Sequence, residues 1–193
     1  MIPTSFGVQL PSWVVDEVGA VSSPDVEERM RLVHRLAARN PVEGLGGPFA
    51  ALVSDQDGHI VSAGVNLVLA SNISSSHAEI LALTLAQTRL GTWDLSSAAG
   101  APYELMVNWR PCVMCYGAVV WSGVQQLTIA GSGPELEELT GFDEGPMRDD
   151  WRSQLEERGI SVRDNVLREE ALAVFREYGE RSDVTVYNAR GTK

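Results

Sequence analysis

The chain has 193 residues, 44% apolar and 21% charged, a length that buries roughly 70% of the unfolded surface and a composition that excludes disorder as the main state. Against 15 basic residues stand 26 acidic ones, a net charge of -11, so a polyanion approaches uphill and nucleic acid is not the expected partner. No apolar run reaches the roughly 20 residues of a membrane span, and Met1-Ile2-Pro3-Thr4-Ser5 lacks a basic run leading into an apolar core, so a cytoplasmic protein with no membrane partner is expected.

Residues 1–23 read as irregular, with an apolar patch at Trp13-Val14-Val15. Ser23-Pro24-Asp25 opens a helix, with Ser23 as its cap and Pro24 in its first turn. Val26, Met30, Val33, Leu36 and Ala37 recur at helical spacing, and Asn40-Pro41 reads as the end. After a loop at Gly44–Gly47, strand Pro48–Val53, the turn Asp55-Gln56-Asp57-Gly58 and strand Ile60–Leu69 form a hairpin. The polar loop Ser71–Ser76 leads into a helix over His77–Leu90, rich in Ala and Leu and ended by Gly91. Strand Tyr103–Trp109, helix Pro111–Trp121 and strand Gln126–Ala130 follow. A polar helix over Pro134–Leu139, a loop at Gly141–Pro146, helix Asp150–Glu157, strand Ile160–Val166, helix Arg168–Arg181 and an extended tail at Val184–Tyr187 complete the chain. Strands alternating with helices predict a layered α/β domain, one domain over 1–193.

The chemistry concentrates where loops enter two helices. The chain has two cysteines, Cys112 and Cys115, and three histidines, His34, His59 and His77. His77-Ala78-Glu79 starts one helix and Pro111-Cys112-Val113-Met114-Cys115 the next. Cysteines three apart share one helix face and can grip one ion. Both lie in a first turn, where the dipole and unpaired amides favour thiolates. One His and two Cys ligands leave a fourth zinc position open for water, whose pKa falls to about 7, and Glu79 then stands ready as a non-ligating base. The plain alternatives are a capping box between Ser76 and Glu79 and a redox dithiol. His77 and Glu79, two apart, point in nearly opposite directions if both lie in a regular helix.

His-x-Glu followed by Pro-Cys-x-x-Cys is the pattern of the zinc nucleobase deaminases. From about Gly47 to Gly131 the chain resembles the cytidine deaminase superfamily, and within it the bacterial guanine deaminases. The loop Thr140-Gly141-Phe142-Asp143-Glu144-Gly145-Pro146 is similar to the stretch in which those enzymes carry a second catalytic carboxylate, which implies that role for Glu144. Asn66, in Ala63-Gly64-Val65-Asn66, matches the asparagine that binds a carbonyl of the base. Trp121 and Tyr187-Asn188-Ala189-Arg190 also look like that subgroup. The resemblance implies a three-layer α/β/α fold with a central mixed five-stranded sheet. It divides the chain into an N-terminal extension and first helix (1–46), a zinc-binding core (47–131) and a C-terminal part (132–193) whose tail is exchanged between subunits.

The resemblance further implies a homodimer that binds one zinc through His77, Cys112 and Cys115 and deaminates a small nucleobase-like substrate, first of all guanine to xanthine and ammonia. Glu79 and Glu144 move protons, and Asn66, Trp109, Trp121 and Asp143 contact the base. At one place the chain departs from the subgroup. Trp109 and Arg110 precede Pro111 where guanine deaminases have a small residue and Glu, and Val107-Asn108 stand in place of Thr-Ser. An indole there fills space and offers stacking area and one donor, while Arg110 either lines the pocket or pairs with Asp143 or Glu144. The departure keeps other substrates open: an aminopurine, aminopyrimidine or aminotriazine. Editing of adenosine in transfer RNA, disfavoured by the charge, and a non-catalytic zinc-stabilised binding module are the remaining alternatives.

Overall fold

The hairpin forms where its turn residues place it. The Asp55 carboxylate accepts from the backbone N–H of Asp57 and of His59, each at 2.9 Å, and β1 (Ala50–Ser54) folds back antiparallel into β2 (Ile60–Val65). A computed structural model describes residues 2–19, 21 and 23–188. β3 (Glu104–Val107) lies antiparallel to β1 and parallel to β4 (Gln126–Ile129), which lies parallel to β5 (Ser161–Arg163). The order is β2-β1-β3-β4-β5, a mixed five-stranded sheet.

Strand alternation divides the core into two. On one face Ala50, Leu52, Ala63, Val65 and Met106 pack against α1 (Ser12–Gly19), α2 (Val26–Val42), α6 (Glu135–Thr140) and α8 (Arg168–Glu180). On the other, Ala51, Val53, Leu105, Val107, Leu127 and Ile129 pack against α4 (Ala78–Leu90), α5 (Val113–Ser122) and α7 (Trp151–Glu156). This is the expected three-layer α/β/α arrangement. No helix among the described residues is long and apolar enough to cross a membrane.

Several boundaries differ from the expected ones, each for a physical reason. Residues 12–19 are helical rather than irregular: Val14 is fully buried and Trp13 lies under the Arg39 guanidinium, 4.5 Å from the ring centre, so tertiary packing makes this helix. Asp25, not Ser23, caps α2, accepting from Glu27 N at 2.9 Å. That helix also runs past Asn40 and holds Pro41 in its last turn. β2 stops at Val65, and Val68–Ser71 coil into a short α3. β5 is three residues long because Asn165 and Leu167 take positive φ, 63° and 55°.

One edge of the sheet gathers the segments that matter. The register pairs Ala50 with Val65 and Ala51 with Val107, so Phe49, just before β1, lies beside Asn66 after β2, and Ala50 lies beside Asn108 after β3. Buried Asn108 holds this edge, its Oδ1 accepting from Ala50 N at 3.2 Å and its Nδ2 donating to Pro48 O at 2.9 Å. Gly64 lets α4 begin against β2: a Cβ there would lie 2.1 Å from Ala78 O.

Candidate active site

His77 is the N-cap of α4, with extended backbone (φ -75°, ψ 155°). It therefore lies outside the helix, and Glu79 is the second residue within it. The opposed directions of two residues two apart within one helix therefore do not apply, and both side chains line one cavity. The capping box does not form: α4 has no side-chain cap, and the Ser76 hydroxyl instead accepts from Ser71 Oγ at 2.9 Å.

Cys112 is in turn the N-cap of α5, and Cys115 lies in its first turn. His77 Nδ1 stands 3.6 Å from each sulfur, and the three ligand atoms lie within 4.8 Å of one another. Tetrahedral zinc, with bonds of about 2.3 Å to sulfur and 2.0–2.1 Å to nitrogen, holds N and S about 3.6 Å apart. The tripod fits that ion. Both cysteines are free and buried, so no disulfide competes for them. The Cys115 thiol hydrogen-bonds Cys112 and holds its pKa down to about 4, with His77 adding to the effect against burial. The same bond, together with burial, pushes Cys115 up. Burial pulls the His77 imidazole down, but its bond to Cys112 and the nearby Glu79 carboxylate outweigh this and leave it raised.

Glu79 is buried beside the tripod. Burial pushes its carboxyl up, the Cys112 charge adds to this, and His77 opposes it. Glu144 reaches the same cavity from the loop before α7. Its carbonyl accepts from Val113 N at 3.0 Å, docking the loop on the start of α5. Gly145 makes that approach possible: its φ is 76° and a Cβ would lie 2.6 Å from Val113 Cγ1. Burial, then the negative charges of Cys112 and Glu79, push Glu144 up to about 8, against His77 and Arg110.

The cavity measures about 1060 Å³, and its wall includes Phe49, Val68, His77, Glu79, Arg110, Phe142, Glu144 and Tyr187. Phe142 fixes the loop, with Phe49 edge-on at 5.3 Å, Tyr178 stacked at 5.6 Å and Tyr187 at 4.9 Å. Asn66 is buried and does not itself line this cavity, but hydrogen-bonds two residues that do, its N donating to Phe49 O at 3.0 Å. Its Oδ1 accepts from Val68 N at 3.2 Å, while its Nδ2 is buried without a partner among the described residues. Asp143 lines the cavity mouth and spends its carboxylate on the loop, accepting from Gly145 N at 2.8 Å.

The two tryptophans have different surroundings. Trp109 contributes to the cavity wall, but its indole is a core residue. The ring packs edge-on against Phe175 at 5.3 Å, lies under Arg168 at 4.9 Å, and donates from Nε1 to Gly133 O at 3.3 Å. Its stacking area and its donor are thus already engaged by the protein. Trp121 is 81% exposed on α5 and lies outside this chain's cavity. Arg110 lines the cavity and forms no ion pair with Asp143, Glu144 or any other carboxylate among the described residues; its Nε is shielded and unpartnered. Sequence reasoning missed Phe49 as a wall residue. It took Tyr187 only by likeness, although Tyr187 Oη accepts from Gly47 N at 3.2 Å. The tail packs on its own chain through Val184, Val186 and Tyr187; Ala189 and Arg190 lie outside the described residues.

A family model of the cytidine and deoxycytidylate deaminase zinc-binding region matches residues 23–130. The guanine deaminase of Bacillus subtilis (strain 168) is 33% identical over 125 residues, 65% of this chain and 76% of that protein. The structure of guanine deaminase from Nitrosomonas europaea is 40% identical, with a TM-score of 0.86 over 93% of this chain and 98% of that one. A mutant of NE0047 in complex with 8-azaguanine is 41% identical, with a TM-score of 0.85 over 91% of this chain and 98% of that one. The matched region contains both helix starts that carry the tripod, and the chain belongs to the cytidine and deoxycytidylate deaminase zinc-binding family.

Proposed function

We propose that the chain is a zinc-dependent guanine deaminase that converts guanine and water to xanthine and ammonia. The observation that carries this reading is the tripod at zinc spacing with a buried, non-ligating carboxylate beside it, in a chain similar to guanine deaminases over most of its length. A structural zinc site has no need of a spare carboxylate; a hydrolytic one does.

His77, Cys112 and Cys115 would hold the metal. When bound, zinc supplies a Lewis acid that brings deprotonation of water close to neutral pH. Glu79 takes the proton from water and delivers it to the ring nitrogen beside the amino-bearing carbon; burial raises its basicity for this work. Glu144, whose carboxyl burial and neighbouring negative charge favour in its protonated form, gives a proton to the departing amine, which leaves poorly as an anion, and recovers one from the added hydroxyl as it becomes the new carbonyl. The unpartnered Nδ2 of Asn66 donates to a carbonyl of the base. Phe49 and Phe142 offer apolar surface to a flat ring.

The reading includes a cytoplasmic homodimer. Cysteines kept free for metal suit a reducing compartment. Trp121, Val113 and Met114 expose an apolar face on α5 of the kind that a second copy covers, and sedimentation velocity tests it. For the activity, ammonia release by zinc-loaded protein is measured with guanine, adenine, cytosine and aminotriazines. Guanine is expected to give the highest kcat/KM. No ammonia from guanine at full zinc occupancy defeats the reading.

A further inference from the structure

Asn40 lies in the last turns of α2, fully buried, and its side chain turns toward the active-site edge of the sheet rather than toward its own helix. Nδ2 carries two hydrogens and meets two carbonyls: Asn66 O at 2.7 Å and Gly47 O at 2.9 Å. Two buried carbonyls from segments 19 residues apart are thereby satisfied by one amide, an arrangement that joins the segments.

Asn66 is held from several sides. Its N donates to Phe49 O at 3.0 Å, its O accepts from Asn40, and its Oδ1 accepts from Val68 N at 3.2 Å. The Oδ1 contact sets which end of the amide is the donor and leaves Nδ2 free. Gly46 closes the remaining side: a Cβ there would lie 2.3 Å from Asn66 Oδ1 and 2.5 Å from Asn66 O. Through Gly47 the same bracket reaches the tail, since Gly47 N donates to Tyr187 Oη. Among the described residues, none of these hydrogen bonds involves His77, Cys112 or Cys115.

We infer that Asn40 is a positioning residue for base recognition: it holds the Asn66 backbone, and the Gly46-Gly47 loop against it, so that Asn66 Nδ2 meets the base in a fixed direction. The inference rests on the proposed base-binding role of Asn66. A donor fixed before binding loses less freedom when the ligand arrives, so a loosened Asn66 weakens binding although its own side chain is intact.

A double-mutant cycle tests this. The dissociation constant of 8-azaguanine is measured on zinc-loaded wild type, Asn66→Ala, Asn40→Leu and the double variant, with zinc content checked in each. Asn66→Ala is expected to weaken binding about tenfold, the scale of one lost hydrogen bond. Asn40→Leu is expected to weaken it by a similar factor while keeping its zinc. The double variant is expected to bind no more than about twofold weaker than Asn66→Ala alone, because the inference has Asn40 act on the base through Asn66. Independent, multiplicative losses in the double variant, or wild-type binding by Asn40→Leu, overturn the inference while leaving the role of Asn66 standing. Wild-type binding by Asn66→Ala overturns that role, and the inference with it. If Asn40→Leu does not fold, Asn40→Ser, which keeps a donor and leaves room for a bridging water, runs the same cycle.

Discussion

The cavity has two walls built on different principles. The metal wall comes from two short motifs, each at the start of a helix, with the ligand atoms of His77, Cys112 and Cys115 placed by N-cap and first-turn backbone. The other wall is lined by Phe49, the loop at 142–146 and Tyr187, and is tied to Gly47 and Asn66 by contacts such as Gly47 N to Tyr187 Oη across 140 residues. The first wall carries chemistry that tolerates little change of geometry. The second joins segments far apart in the chain and supplies none of the three metal ligands. The metal tripod comes from local motifs; the other wall does not.

If the metal wall is a unit, removing one ligand should empty it. Cys112→Ala should lower zinc from about one equivalent per chain to nearly none by metal analysis, abolish turnover, and reduce Tm, because metal binding is coupled to folding. Full zinc in this variant would break the tripod assignment. Glu79→Gln probes the same wall without touching the ion. It keeps shape but cannot accept a proton, so kcat should fall by at least about 10²–10⁴ with zinc retained. Near-normal turnover would reduce Glu79 to a structural residue.

Glu144 belongs to the loop that joins the two walls. Glu144→Gln should depress kcat far more than it raises KM, by a smaller factor than Glu79→Gln because Glu79 still takes the proton from water. An unchanged kcat would remove Glu144 from the proton transfers. Trp109→Ala sharpens the comparison from the other direction. The indole is packed on Phe175 and Arg168, so its truncation should cost about 3–5 kcal/mol of stability by denaturant unfolding. The ranking of substrates should be unchanged; a reordered ranking would put the indole in the pocket after all.

The metal wall is legible in the sequence because its residues sit at fixed spacing on elements whose starts are marked, Pro111 for one helix and the Ser76-His77 junction for the other. The layered fold follows from the alternation of apolar strands with helices, and the Asp55–Gly58 turn places the hairpin almost to the residue. The second wall is not legible from local pattern. Asn40 before Pro41 reads as a helix stop, yet it lies inside α2 and its amide serves two distant carbonyls. Trp109 at a strand end beside the metal motif reads as pocket floor, but the direction of its ring is set by Phe175 and Gly133, which no nearby residue announces. The helix at 12–19 has too weak a pattern to be recognised alone and forms because Val14 and Trp13 find partners on α2 and the sheet. Tyr187 shows itself through likeness to the guanine deaminases; its hydrogen bond to Gly47 depends on the closed fold.

The central claim is that this tripod makes a hydrolytic catalyst of guanine. It is tested most directly by stripping the metal, returning zinc in substoichiometric steps, and following ammonia release from guanine at each step. The account predicts a rate that rises in proportion to bound zinc, reaches its plateau at about one equivalent per chain, and is absent from the stripped protein. Guanine turnover without metal, or full zinc occupancy with no release of ammonia, would contradict it.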